Sequence, residues 1–288
     1  MTSPEELNSL EAINSPYIPT ADRTVLTYED VYNRYLTHPL GIFHASQPPR
    51  FANAFEYDHT QMHTDLGDDV HPVEHGRYTH DGILVHLLNA QVQSDHSHFQ
   101  PFTIDEIRAI KLASHVHDFG ECSHPDTNQV VEHPPGDISY YDKLPEHSLA
   151  ETAIRNFQRQ LLFPEIVDST WNDSEAIVIG TDGTFSTHAF DAVEHLGYYI
   201  TGLRAGYLAL VEHGNRLRDN PMRDDLSFRQ LRWLGVLVSH HHRHRTLPVK
   251  TEGLVYPAQA LRTSTRLYDK IQASLAPIVE AELKELVG

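Results

Sequence analysis

Apolar positions recur at helical spacing along most of the chain. Over 77–93 (RYTHDGILVHLLNAQVQ), Ile83, Leu84, Leu87 and Leu88 mark one buried helix face. Thr103, with Glu106 three residues on, makes a capping box. The helix it opens runs through Ile107, Ile110 and Leu112 to about Phe119. A further helix is predicted over 145–162, with Pro164 just past its end. Residues 173–180 (DSEAIVIG) read either as a short strand or as a helical turn. A long helix is predicted over 186–213, capped by Ser186 or Thr187, and two more near 226–243 and 257–286. Between them, 122–142 carries Pro125, Pro134, Pro135 and Gly136 and reads as loop. The first 75 residues read as largely irregular, with a helix over 27–37 and an extended stretch over 46–75. No internal repeat or low-complexity tract interrupts this pattern. It predicts a mostly α single domain with a long N-terminal extension.

Composition narrows the function classes. The chain has 288 residues, 40% of them hydrophobic and 22% charged, which is the balance of a globular domain with a sizeable core. No run of about 18 apolar residues is present, so no membrane span is expected. The N-terminus lacks the basic start and apolar run of a secretory signal, and a cytoplasmic location is the default expectation. The single cysteine, Cys122, excludes an intramolecular disulfide. The net charge of −18 disfavours a nucleic-acid polymer as partner. A small anion remains compatible, because a metal ion and a few local cations can dominate one site. The 22 histidines identify no site by themselves, since one site uses no more than about six.

The candidate chemistry centres on the adjacent pair His117-Asp118, near the end of an apolar helix. Both can reach one ion that lies beyond the helix end. Glu121 follows Asp118 by one helical turn and is well placed to orient or deprotonate a water. Asp191 lies within an apolar and aromatic helix (HAFDAVEHLGYYITGL), where an unpaired carboxylate is costly to bury. His80 opens another helix upstream.

His80, then His117-Asp118, then Asp191, each on a separate helix, resembles the HD superfamily of metal-dependent phosphohydrolases. The run HVHDFGE with a later Gly136-Asp137-Ile138 is most similar to its 5′-deoxynucleotidase-type branch. The resemblance covers roughly 70–215. It implies an HD-domain helical bundle there, an N-terminal extension over 1–69, and a C-terminal helical extension over 216–288 that packs on the core. It further implies that His80, His117, Asp118 and Asp191 ligate one divalent ion. Two imidazoles and two carboxylates suit Mn, Co, Fe, Zn or Ni better than Mg. Glu121 would position the attacking water, and Asp137 would assist at the leaving group or the sugar. Arg77 and Lys143 are the candidates to offset phosphate charge. The implied activity is hydrolysis of phosphate esters of a nucleotide, a deoxynucleoside mono- or triphosphate. The implied partners are that small anionic substrate and, by analogy with related nucleotidases, a second copy in a homodimer. One departure stands out: the loop between Glu121 and Gly136 is longer than in compact nucleotidases of this type.

Two other function classes fit the same residues. A dinuclear HD enzyme, either a phosphodiesterase or a di-iron oxygenase, would need further ligands. His147 with Glu151, and His124, His133 or His188, are the candidates. A non-catalytic regulatory protein could keep the fold alone. His195, four residues after Asp191, can face the same pocket. His240 and His244 have an i, i+4 metal-binding spacing, but Arg243 and Arg245 beside them repel a cation.

Overall fold

The computed structural model describes residues 4–46, 76–77, 81–94, 101–123, 145–180 and 183–219, with short pieces at 253–254, 266–267, 269–271 and 273–274. Among the described residues 79% are helical and none belongs to a sheet. The elements are α1 (Pro4–Asn14), α2 (Tyr28–Thr37), α3 (Pro39–Ala45), α4 (Asp81–Val92) and α5 (Ile104–Val116). A 3-10 helix (His117–Ser123) continues α5, and α6 (Pro145–Leu162), α7 (Asp168–Ile179) and α8 (Phe185–Asp219) follow. The mostly α expectation therefore holds. The helices expected near 226–243 and 257–286 lie almost wholly outside the described residues.

The centre is α5. A helix at the protein surface buries one stripe, whereas this one buries Ile107, Ala109, Ile110, Lys111, Leu112, Ala113, Ser114 and Val116, which is every side. It divides two apolar clusters. Ile107, Ile110 and Ala113 join Leu84, Leu87 and Leu88 of α4 and Phe190 and Val193 of α8. Leu112, Val116 and Phe119 join Tyr28, Val31, Tyr32 and Tyr35 of α2 and Trp171 of α7. At its start the capping box is present, with Glu106 N–H donating to Thr103 Oγ1 at 3.2 Å and Thr103 N–H donating to Glu106 Oε2 at 2.8 Å.

The N-terminal segment contains three helices: α2 is the one expected over 27–37, whereas α1 and α3 stand where irregular chain was expected. Thr27 caps α2 and forms a capping box with Asp30. Pro39 stands in the first turn of α3, where a missing N–H costs nothing. Residues 173–180, undecided between strand and helix, are the end of α7, closed by Gly180 in the left-handed region (φ 71°). Phe163 and Ile166 pack with α2 from the link between α6 and α7.

Polar and apolar positions are inverted on α6. Glu151, Arg155 and Gln158 are buried, at 6%, 2% and 1% exposure. Leu149, Phe157 and Leu161 of the same helix are exposed. Its polar face packs against the 3-10 helix and sets the site described next.

Candidate active site

The helix tightens at His117, from α geometry to a 3-10 helix that runs to Ser123. The expected α-helix to about Phe119 is corrected in this respect. With three residues per turn, side chains at i and i+3 eclipse. Asp118 and Glu121 therefore stack on one side. Both are buried, at 5% and 4% exposure, as is His117 at 8%. Three ionisable groups within five residues, all withdrawn from water, need matching partners.

The His117 ring is held by its Nδ1, 3.0 Å from the Ser114 carbonyl. A carbonyl only accepts, so Nδ1 carries a proton and Nε2 faces the site. Nε2 lies 3.2 Å from Asp118 Oδ1 and 3.3 Å from Glu194 Oε1. The ring edge also meets the Phe190 ring, with centroids 5.5 Å apart. Burial works against the imidazolium, yet the carboxylates of Asp118 and Glu194 outweigh it and push the His117 pKa up to about 9.

That shift has a stability consequence with a definite sign. The folded pKa lies above the ordinary value of 6.5, so the contribution is full below pH 6.5 and is lost as pH rises through about 9. Its size is on the order of 3 kcal/mol. Denaturant titrations of ion-free protein from about pH 6 to pH 10 should show this loss relative to His117→Gln. Parallel profiles for the two proteins would contradict the ion pairing.

Three side chains, two from α6 and one from α2, grip the backbone of the 3-10 helix. Arg155 donates from Nη1 to the His117 carbonyl (3.2 Å), from Nε to Glu175 Oε1 (2.8 Å) and from Nη2 to Thr152 Oγ1 (3.3 Å). Gln158 Nε2 donates to the Phe119 carbonyl at 3.0 Å and approaches Cys122 Sγ at 3.6 Å. The Tyr35 hydroxyl donates to the Phe119 carbonyl at 3.3 Å and lies 2.8 Å from His44 Nδ1. Its ring stacks on Phe119 at 3.8 Å. Burial, then Cys122, Asp118 and Glu121, raise the Tyr35 pKa, so this phenol stays protonated. Burial is also the main cause that raises the Cys122 thiol pKa.

Two glycines permit this close packing. A Cβ at Gly120 would stand 2.8 Å from the Glu151 carbonyl oxygen and 2.9 Å from Arg155 Nη1. A Cβ at Gly76 would stand 2.3 Å from the Ser114 carbonyl oxygen and 3.2 Å from His117 Cε1. Gly120→Ala is expected to destabilise the fold by roughly 1–3 kcal/mol through forced displacement of α6. Its urea midpoint measures this, and an unchanged midpoint would contradict the contact.

The structure brings together only part of the expected set. His117, Asp118 and Glu121 are on one short segment. The α8 carboxylate that meets His117 is Glu194, which the sequence reading passed over, whereas Asp191, one turn earlier, is an exposed residue. Arg77 lies against α2, its Nη2 2.9 Å from Glu29 Oε2 and its guanidinium 4.6 Å from the Tyr32 ring centre. His80, Asp137 and Lys143 lie outside the described residues, as do His124, His133, the His147 side chain and the 240–245 run. His195 Nδ1 is 2.7 Å from the Asp191 carbonyl one turn before it. Among the described residues, no group of three or more His, Cys, Asp or Glu side chains is arranged to hold a metal ion. Nor is any described helix long and apolar enough to cross a membrane.

The chain matches no family model, no curated protein and no solved structure.

Proposed function

We propose that the chain is a metal-dependent phosphohydrolase of the HD type, acting on a small nucleotide. One observation carries this reading: the buried His117 Nε2 is turned toward two carboxylate oxygens, at 3.2 and 3.3 Å, with its other nitrogen anchored on a backbone carbonyl. An imidazole anchored through Nδ1 presents Nε2 as a metal donor. In the ion-free protein a proton on Nε2 satisfies both carboxylates, and a divalent ion binds in competition with that proton. His80, His117, Asp118 and Asp191 are the donors that the resemblance gives, and Glu194 is a further carboxylate that meets His117 Nε2 at 3.3 Å. An imidazole and carboxylates suit Mn, Co, Fe, Zn or Ni. When bound, the ion supplies Lewis-acid polarisation of a phosphoryl oxygen and a water of lowered pKa.

The chain's own residues supply the rest. Glu121, eclipsing Asp118 and shielded from bulk solvent, accepts a proton from the attacking water. Arg155, Gln158 and Tyr35 hold the His117 and Phe119 carbonyls, so Asp118 and Glu121 keep one geometry. Asp137 and Lys143 keep the roles the resemblance gives them, at the leaving group and at the phosphate. Arg77 does not join them: it is engaged with Glu29, on a different face of α5.

The test measures metal content and phosphate release from deoxynucleoside mono- and triphosphates, with added Mn²⁺ or Co²⁺. His117→Gln and Asp118→Asn should each lose activity by about 10³-fold, the equivalent of several kcal/mol of transition-state stabilisation. Activity retained in both variants would overturn the reading. A chain that binds no metal would make His117 a structural ion-pair partner and the protein a non-catalytic member of such a fold. Two irons per chain would point instead to a dinuclear oxygenase.

A further inference from the structure

Helix α6 turns apolar residues toward water. Leu149, Phe157 and Leu161 are 72%, 55% and 51% exposed, and Ala153 between them is exposed as well. The four recur at every fourth position, so they form one ridge along the helix, roughly 18 Å long at 1.5 Å per residue. A contiguous apolar stripe on a surface marks a place where another molecule docks. The opposite face of the same helix is the one that carries the buried Glu151, Arg155 and Gln158.

The stripe is also cleared of charge. Over 149–161 the chain has three charged residues, Glu151, Arg155 and Arg159. That density is close to the 22% of the whole chain, so orientation and not composition clears the face. Glu151 and Arg155 point inward, and Arg159 donates to the Ile166 carbonyl at 3.1 Å and pairs with Asp168. The exposed residues of this stretch are Leu149, Ala153, Phe157, Gln160 and Leu161, all neutral. At a net charge of −18, two copies of the chain repel over most of their surfaces. A neutral apolar ridge is where they can meet, because the cores of protein interfaces are depleted in charge.

The order of sizes along the ridge is self-complementary. A two-fold axis passes midway along it, on the side opposite Arg155. Turned end for end about that axis, Leu149 comes beside the partner's Leu161, and Ala153 beside the partner's Phe157. The smallest side chain thus makes room for the largest, twice over. Ridges of every fourth residue interdigitate at a crossing angle of about −50°. We propose that α6 pairs antiparallel with α6 of a second copy of this chain, through Leu149, Ala153, Phe157 and Leu161. One helix face covers less than the roughly 800 Å² per partner of a standard interface, so the dimer is reversible in the micromolar range. This pairing does not rest on the proposed hydrolase activity.

Sedimentation equilibrium of the full chain at about 1 to 500 µM should show a monomer–dimer equilibrium. Phe157→Glu should weaken the dimer by about tenfold or more, since it buries an unpaired charge at the centre of the contact. Leu161→Glu should weaken it similarly. Adding Leu149→Lys to Leu161→Glu should restore most of the association, because the introduced lysine then meets the partner's introduced glutamate. Within one helix these two positions lie more than three turns apart and do not touch. All three positions are exposed and tolerate substitution, which urea midpoints of the dilute proteins check. Should Phe157→Glu fail to fold, Leu161→Glu and its lysine-bearing double variant decide. A monomer at every concentration, a dimer that Phe157→Glu leaves intact, or a double variant as weak as Leu161→Glu would each overturn the proposal. The first of these would leave the stripe to a different protein.

Discussion

Arg155→Met is expected to lower folding stability by about 3–5 kcal/mol, the cost of breaking a buried ion pair from one side. Arg155 is 2% exposed, and its fork reaches three partners: the Glu175 carboxylate, the His117 carbonyl and the Thr152 hydroxyl. Methionine fills much of the volume but leaves Glu175 charged at 6% exposure, with its nearest counter-ion gone. The double variant Arg155→Met/Glu175→Leu should recover most of the loss, because the penalty lies in the stranded charge. Arg155→Lys should recover little, since one ammonium cannot serve three directions. Urea midpoints of the four proteins measure this. A loss under about 1 kcal/mol for Arg155→Met, the level of an exposed pair, would show that Glu175 finds water instead.

Glu194→Gln should have the second large effect. It removes one of the two carboxylates that raise the His117 pKa, so that pKa should fall back toward the ordinary 6.5. NMR titration of the His117 imidazole reads this directly. Divalent-ion affinity should fall by about 10–100-fold, the range for groups that orient or assist metal ligands. The comparison with Asp191→Asn is decisive. If Asp191→Asn abolishes ion binding and Glu194→Gln leaves it intact, Glu194 is only the proton's partner in the ion-free protein.

The legible part of the fold is the part with local signals. The Thr103–Glu106 capping box and the Leu84, Leu87, Leu88 spacing announce α5 and α4, because caps and periodicity act within a few residues. Helix α6 keeps its expected bounds for the same reason. The segment 173–180 stayed ambiguous because its short apolar run, Ala176 to Ile179, lacks a period that separates a buried helix from a strand. Its solution, α7, is fixed by Trp171 and Ile177 packing on both sides of α5. In the N-terminal segment Pro39 is a helix start within a stretch that read as irregular.

The site was half legible. The order His117, Asp118, Glu121 could be read from the sequence, since all three are on one segment. The tightening to a 3-10 helix could not, because the carbonyls of that segment are held by Arg155, Gln158 and Tyr35, 38 to 84 residues away. In the sequence Arg155 and Gln158 look like the solvated face of α6. Only their i, i+4, i+7 run with Glu151, opposite an apolar stripe, hints that the polar side is the inner one. The choice of Glu194 over Asp191 depends on how far α8 is rotated, and a helix with a polar residue in nearly every turn does not announce its rotation.

Cys122 turns this arrangement into something measurable. It is the only thiol in the chain, 3% exposed at the far end of the 3-10 helix and in contact with Gln158. A disulfide reagent in water reaches it only when that segment lifts off α6. Labelling kinetics therefore report openings of this segment, with no engineered label and no background from a second sulfhydryl. Any ligand that clamps the segment shut is registered as a slower rate, whatever its chemistry.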